Sequence, residues 1–133
     1  MPEKATIKRA RADLRAGKSP TTAAGEFVRE ELEHIRRGKH GARSPEQAIA
    51  IGLSKARRAG VPLKPPKKGR VKKSTRKAAK RDYEIGQGRR KPRGPSRKRS
   101  QAMTKRLKRE GRSAASHSAL SRHAKRVAKR RRS

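Results

Sequence analysis

The chain has 133 residues, of which 43 are Lys or Arg and 10 are Asp or Glu, for a formal net charge of +33, while 29% are apolar. That balance lies on the disordered side of the charge–hydrophobicity divide for the chain as a whole and points to a polyanionic partner. It argues against a membrane, because there is one Phe, one Tyr, no Trp and no apolar run of spanning length, and the lack of Cys excludes disulfides, thiolate metal sites and a cysteine nucleophile.

The opening stretch MPEKATIKRARADL has no apolar core that could act as a signal peptide, which places the chain in the cytosol. Ile7, Ala10 and Leu14 at helical spacing predict a short first helix that runs out near Gly17. Ser19-Pro20 then offers a cap followed by the residue best tolerated at the first helical position. The second helix, about 20–37, sets Ala24, Phe27, Val28, Leu32 and Ile35 on one stripe and closes at Gly38. Glu31 falls inside that stripe, either on its rim with the carboxylate in water or as a buried partner for an arginine of the third helix.

The third helix starts at Ser44-Pro45-Glu46-Gln47, a capping box with Pro at its first position, and stops at Gly60, a left-handed cap before Pro62. Ile49, Leu53 and Ala56 share a face with Gly52 beside them, which admits close helix contact, while Ile51 lands on the other side. Residues 1–63 thus read as a three-helix domain. A domain of that size buries only about 60% of its unfolded surface. A homodimer through these helices, or another segment docked onto Ile51, would complete it.

Charge is unevenly divided, with a net +8 over residues 1–66 and +25 over 67–133. The change falls in a Pro/Lys-rich linker, residues 64–73, where Pro65 and Pro66 favour extended backbone. The basic region 74–133 holds three helix-permitting stretches, 74–85, 96–110 and 113–130. The second carries a narrow Met103/Leu107 seam, and the third sets Leu120, Ala124, Val127 and Ala128 opposite Arg122, Lys125, Arg126 and Lys129. The expected fold class is therefore all-α, a small three-helix N-terminal unit followed by a highly basic tail with further short helices. That tail is expected to be partly disordered when free, because tertiary contacts supply most helix stability and these segments have few apolar anchors.

The chemistry legible in the chain is basic density. Lys55, Arg57 and Arg58 make the end of the third helix basic; Lys67, Lys68, Arg70, Lys72, Lys73, Arg76 and Lys77 follow through the linker into the next helix. Arg89, Arg90, Lys91, Arg93, Arg97, Lys98 and Arg99 form a second run, Lys105 and Arg106 lie beyond it, and Arg122, Lys125, Arg126, Lys129 and Arg130 form the last. These are the candidate phosphate contacts, and engaging ~6–10 phosphates would lower affinity ~10³–10⁵ between 50 and 200 mM salt. Pro92-Arg93-Gly94-Pro95 resembles an AT-hook whose second arginine is replaced by Pro95, so a flexible phosphate-binding linker is the plainer reading.

His34 and His40 flank a helix end and His117 and His123 are six apart, so spacing alone gives the four histidines no metal pattern. Ser116-His117 has no carboxylate nearby in sequence to orient the ring, and no phosphate-cradling glycine loop is present. No catalytic residue, cofactor or metal is assigned, and an enzyme is not indicated. With Phe27 in the helical stripe, Tyr83 is the one aromatic left for base stacking, which favours duplex backbone contact over single-strand recognition.

GEFVREELEHIRRGKHGARSPEQAIAIGLSKARRAGV resembles the signature of an uncharacterised family of short basic bacterial proteins often labelled DNA-binding, and KREGRSAASHSALSRHAKRVAKRR resembles the tail that accompanies it. The resemblance implies a nucleoid-associated role and supplies no active residues. By layout, a small helical domain with a Lys/Arg/Pro-rich tail, the chain is also similar to linker histones. The function expected is sequence-nonspecific binding, compaction or bridging of duplex DNA. RNA or ribosome binding is the alternative, and a protein-interaction module built on Ile51 and the acidic residues Glu26, Glu30, Glu31 and Glu33 is a third.

Overall fold

In the computed structural model, residues 3–92 and 97–132 are described, and among them every regular element is helical. The elements are α1 (Lys4–Arg15), α2 (Pro20–Arg36), α3 (Pro45–Arg58), α4 (Lys73–Gly86), α5 (Arg97–Arg109), a 3₁₀ turn (Ser113–Ala115) and α6 (His117–Arg132). The protein is all-α.

Local chemistry sets most boundaries. The Ser19 hydroxyl accepts the Thr22 N–H at 3.2 Å, so α2 starts where Pro20 can be its first residue. At α3 the Ser44 hydroxyl accepts the Gln47 N–H at 3.2 Å, while the Gln47 side chain accepts the Arg43 N–H at 2.7 Å, one residue before the cap. Gly60 ends α3 at φ +103°, with its N–H on the Arg57 carbonyl and the Val61 N–H on the Ala56 carbonyl, each 3.1 Å. The same pair of bonds closes α2 at Gly38.

The last helix starts later than its sequence suggests. Ser113 opens a 3₁₀ turn, and Ser116 is the cap of α6, accepting the Ala119 N–H on its hydroxyl at 3.2 Å. Burial of Ala114 and Ala115 fixes that turn. The packed face of α6 also shifts: Ala119 is buried and His123 half-buried, whereas Ala124 is exposed.

The chain divides into two compact units, Met1–Glu30 with Ile51–Arg93, and Glu31–Ala50 with Gly94–Ser133. Neither coincides with residues 1–63 or 74–133. In the first unit Ala10, Ala23, Ala24, Phe27, Ala56 and Val61 form the core, with Ile7, Leu14 and Leu53 packed against it. Phe27 is fully buried, worth about 1.5–3 kcal/mol relative to exposure. A Cβ on Gly52 would lie 2.7 Å from the Val28 Cα, so α2 and α3 approach backbone to backbone there. The buried stripe of α3 is the small-residue one, Ala48, Gly52 and Ala56, while Ile49, Ile51 and Leu53 are half-buried. Two bonds dock α1: the Glu30 carboxylate accepts the Glu3 N–H at 2.6 Å and the Thr6 hydroxyl at 3.2 Å, a cap supplied from another helix. α4 is held by Asp82, which accepts from Arg58 Nε and Ser54 Oγ at 2.7 Å each.

In the second unit Ile35, Ala42, Ala48, Ala114 and Ala115 form the core, with Leu32 against it. Carbonyls in the last turn of α5 and just after it accept from the loop after α2: the Gly41 N–H donates to the Leu107 carbonyl at 2.7 Å and the Ala42 N–H to that of Gly111 at 3.1 Å. A Cβ on Gly41 would overlap the Glu110 carbonyl, so this approach needs glycine. Arg36 Nε reaches the Ala115 carbonyl at 3.1 Å. Glu31, read either as a rim residue or as a buried partner, is fully buried, because its position on α2 faces inward here.

Candidate nucleic-acid interface

Each unit is strongly basic on its own. Residues 1–30 and 51–93 hold 24 Lys/Arg against 6 acidic residues, and residues 31–50 and 94–133 hold 19 against 4, so the net charges are +18 and +15.

Helical spacing gathers these charges into arcs. On α4, Lys73, Arg76, Lys77 and Lys80 are all exposed and fall within an arc of about 100° at 3.6 residues per turn. Ala79 and Asp82, which are buried, mark the other side of that helix. On α6 the same spacing recurs in Arg122, Lys125, Arg126 and Lys129, all exposed, while Ala119, His123 and Val127 turn inward. A third arc lies on α1, where Lys4, Lys8, Arg11 and Arg15 are exposed within roughly 60°. Seven steps along a helix span about 10 Å, a length over which a duplex carries about six phosphate charges. α5 differs: none of its residues is buried, it carries seven Lys/Arg and no acid, and Met103 is 50% exposed.

Most of the expected contacts lie on the surface. Lys67, Lys68, Arg70, Lys72, Arg89, Arg90, Lys91, Arg97, Lys98, Arg99, Lys105, Arg106 and Arg130 are exposed along with the arcs on α4 and α6. Arg76 Nε reaches the Pro66 carbonyl at 3.2 Å and so ties the linker to α4. Arg93 and the Pro92–Pro95 motif it centres on lie outside the described residues apart from Pro92.

Three residues of α3 behave differently from the surface set. Arg57 is buried, its Nε on the Leu63 carbonyl at 3.0 Å and its Nη2 on that of Lys64 at 3.3 Å. Burial holds this guanidinium below its ordinary pKa, against an opposing pull from Asp82. Its role is to fix the turn after α3, and it is removed from the phosphate-contact set. Arg58 is engaged by Asp82, and Lys55 is half-buried.

In the second unit a cleft of about 230 Å³ is lined by Arg43, Ser44, Glu46, Ser113, Arg122 and Arg126 among others. Glu46 sits in it with His123 Nδ1 at 3.0 Å and Arg126 Nη2 at 2.8 Å. Its own backbone N–H first, then His123 and Arg126, hold its pKa down at about 2.

The acidic residues of α2 offer no open acidic face. Glu26 pairs with Arg9 at 3.1 Å, and Glu30 and Glu31 are buried.

Sequence reasoning missed two features. The α1 arc was legible as charges recurring at three, four and seven residues, a signal masked by the lower net charge of the first half, and Lys80 continues the spacing of Lys73, Arg76 and Lys77. The other is a cluster in the second unit: His40 Nε2 lies 3.2 Å from one oxygen of Glu31 and His34 Nδ1 lies 3.9 Å from the other. Glu31-x-x-His34 on a helix was the available clue, but His40 arrives only through the turn at Gly38.

Comparison with protein-family models, with curated proteins and with solved structures gives no match. Among the described residues, no helix is long and apolar enough to cross a membrane.

Proposed function

We propose that the protein binds duplex DNA without sequence preference, through Lys/Arg–phosphate contacts, and compacts or bridges it in the bacterial nucleoid. The observation that carries this reading is the four-cation arc repeated at identical spacing on α4 and α6, one in each unit. Such arcs can lie along a regular row of phosphates, contacts that position a protein on a duplex without reading its sequence. Two basic units on one chain give the valency that bridging requires. The resemblance to basic bacterial proteins labelled DNA-binding agrees with it.

The tail is uneven in this reading. α6 is anchored through Ala119 and α4 through Asp82, whereas α5 has no buried residue and is the segment that folds when phosphate neutralises its seven charges. The three N-terminal helices supply folded residues to both units, and Ile51, half-buried on α3, is where a second copy or another segment would dock.

A gel-shift titration tests the function. Binding of random-sequence duplex should weaken ~10³–10⁵ between 50 and 200 mM salt. Absence of duplex binding at low salt, or binding indifferent to salt, overturns it. Co-sedimentation with ribosomal subunits after DNA removal would replace it with the RNA reading.

A further inference from the structure

We propose that Glu31, His34 and His40 form a binding site for a divalent transition-metal ion of the zinc class. One ligand atom from each lies within 4.8 Å of the others, and the two imidazole rings meet edge to face with centroids 6.2 Å apart. Zinc holds nitrogen at about 2.0–2.1 Å and carboxylate oxygen at about 2.0–2.2 Å, which sets tetrahedral ligands about 3.4 Å apart. His40 Nε2 lies 3.2 Å from Glu31 Oε2, already close to that value, and His34 Nδ1 lies 3.9 Å from Glu31 Oε1, so the carboxylate presents one oxygen toward each ring.

The fold constructs this arrangement. Glu31 and His34 are three apart on the last turns of α2 and so project from the same side. Gly38, at φ +79°, reverses the chain, with the Lys39 N–H on the His34 carbonyl at 3.0 Å, and this returns His40 toward the helix it has just left.

The His40 ring is oriented by its other nitrogen. Nδ1 lies 2.9 Å from the Gly41 carbonyl, which can only accept, so Nδ1 carries the hydrogen. Nε2 then points its lone pair toward a Glu31 carboxylate oxygen 3.2 Å away, the side on which an ion shared with His34 would sit. Imidazole donating its second N–H to a backbone carbonyl is the usual outer support of a metal-ligating histidine. Two imidazoles and one carboxylate, without thiolate, suit zinc, iron(II) or nickel and leave positions for water. Glu31 is almost wholly covered, while the histidine side chains are 13% and 18% exposed, so an ion enters from the imidazole side. Its effect is to fasten the loop after α2 to the helix.

The test is titration of the untagged, nucleic-acid-free full chain with Co²⁺ as a spectroscopic probe, followed by Zn²⁺ competition. One equivalent should give a visible ligand-field band that zinc abolishes, and zinc should raise the unfolding temperature. Outer-shell changes cost 10–100-fold in metal affinity, so His40→Asn and His34→Asn, which each remove a ligand, should cost at least about 100-fold. The double variant His117→Asn/His123→Asn should bind as the parent does. His40 lies outside the helix, so helicity by circular dichroism will show His40→Asn still folded. No one-equivalent binding by the parent, or binding unaltered in both single variants, overturns the site.

Discussion

Arg58 of α3 donates from Nε to Asp82 of α4 at 2.7 Å, and this bond fixes the one acidic side chain buried on α4. Ser54, one turn earlier on α3, takes the other oxygen of that carboxylate. Arg58 is 41% exposed, so its charge adds little; the hydrogen bonds to a buried acceptor matter more. Asp82→Ala should therefore cost about 1–3 kcal/mol in urea unfolding. A loss under about 0.5 kcal/mol would show that α4 is held elsewhere.

Two glycines, Gly52 on α3 and Gly25 on α2, should respond with opposite signs. Gly52→Ala places a methyl against the Val28 backbone, which cannot yield as a side chain would, and should lower stability by about 1–3 kcal/mol. Gly25 lies inside α2 with nothing within 4 Å of a built Cβ. Gly25→Ala should raise stability by about 0.5–1 kcal/mol. Thermal unfolding of the two variants side by side decides it.

Acid should expose the Glu46 pair. With a folded pKa near 2 against an ordinary 4.5, its contribution is complete above pH 4.5 and fades as pH falls toward 2. Glu46→Gln should flatten the stability profile over that window only. The carboxylate is 46% exposed, so the amplitude stays below about 1 kcal/mol.

Removing an arc should change salt dependence, not fold. Lys73→Ala/Arg76→Ala/Lys77→Ala/Lys80→Ala should reduce the slope of log affinity against log salt by up to about 0.9 per phosphate lost. Helicity should persist, since all four are exposed. Arg57→Ala should do the reverse, weakening the fold and leaving the slope in place, because its guanidinium serves two carbonyls.

Helix starts and stops were legible because caps are local chemistry: Ser19, Ser44, Gly38 and Gly60 act on neighbours within six residues. Ser113 and Ser116 compete for one helix start, and only the burial of Ala114 and Ala115 decides between them. Charged residues were the harder problem. Arg57 and Lys80 look alike in a basic chain, yet one is buried on the carbonyls of Leu63 and Lys64, where the chain turns back, and the other is exposed. Glu31 was harder still, since its fate depends on a histidine nine residues on, beyond a reversal of the chain.

The two units are built from alternating lengths of chain, and a ribosome makes them in order. When residue 93 has been added, the segments of the first unit are all present; those of the second are not. At 5–20 residues per second, the next 22 residues, up to Ala115, take about 1–4 s to make. Through that interval Ile35, Ala42 and Ala48 have no Ala114 or Ala115 to cover them. The second unit is thus completed after the first, and a stop codon between residues 94 and 113 would leave the first whole and strip Ala114 and Ala115 from the core of the second.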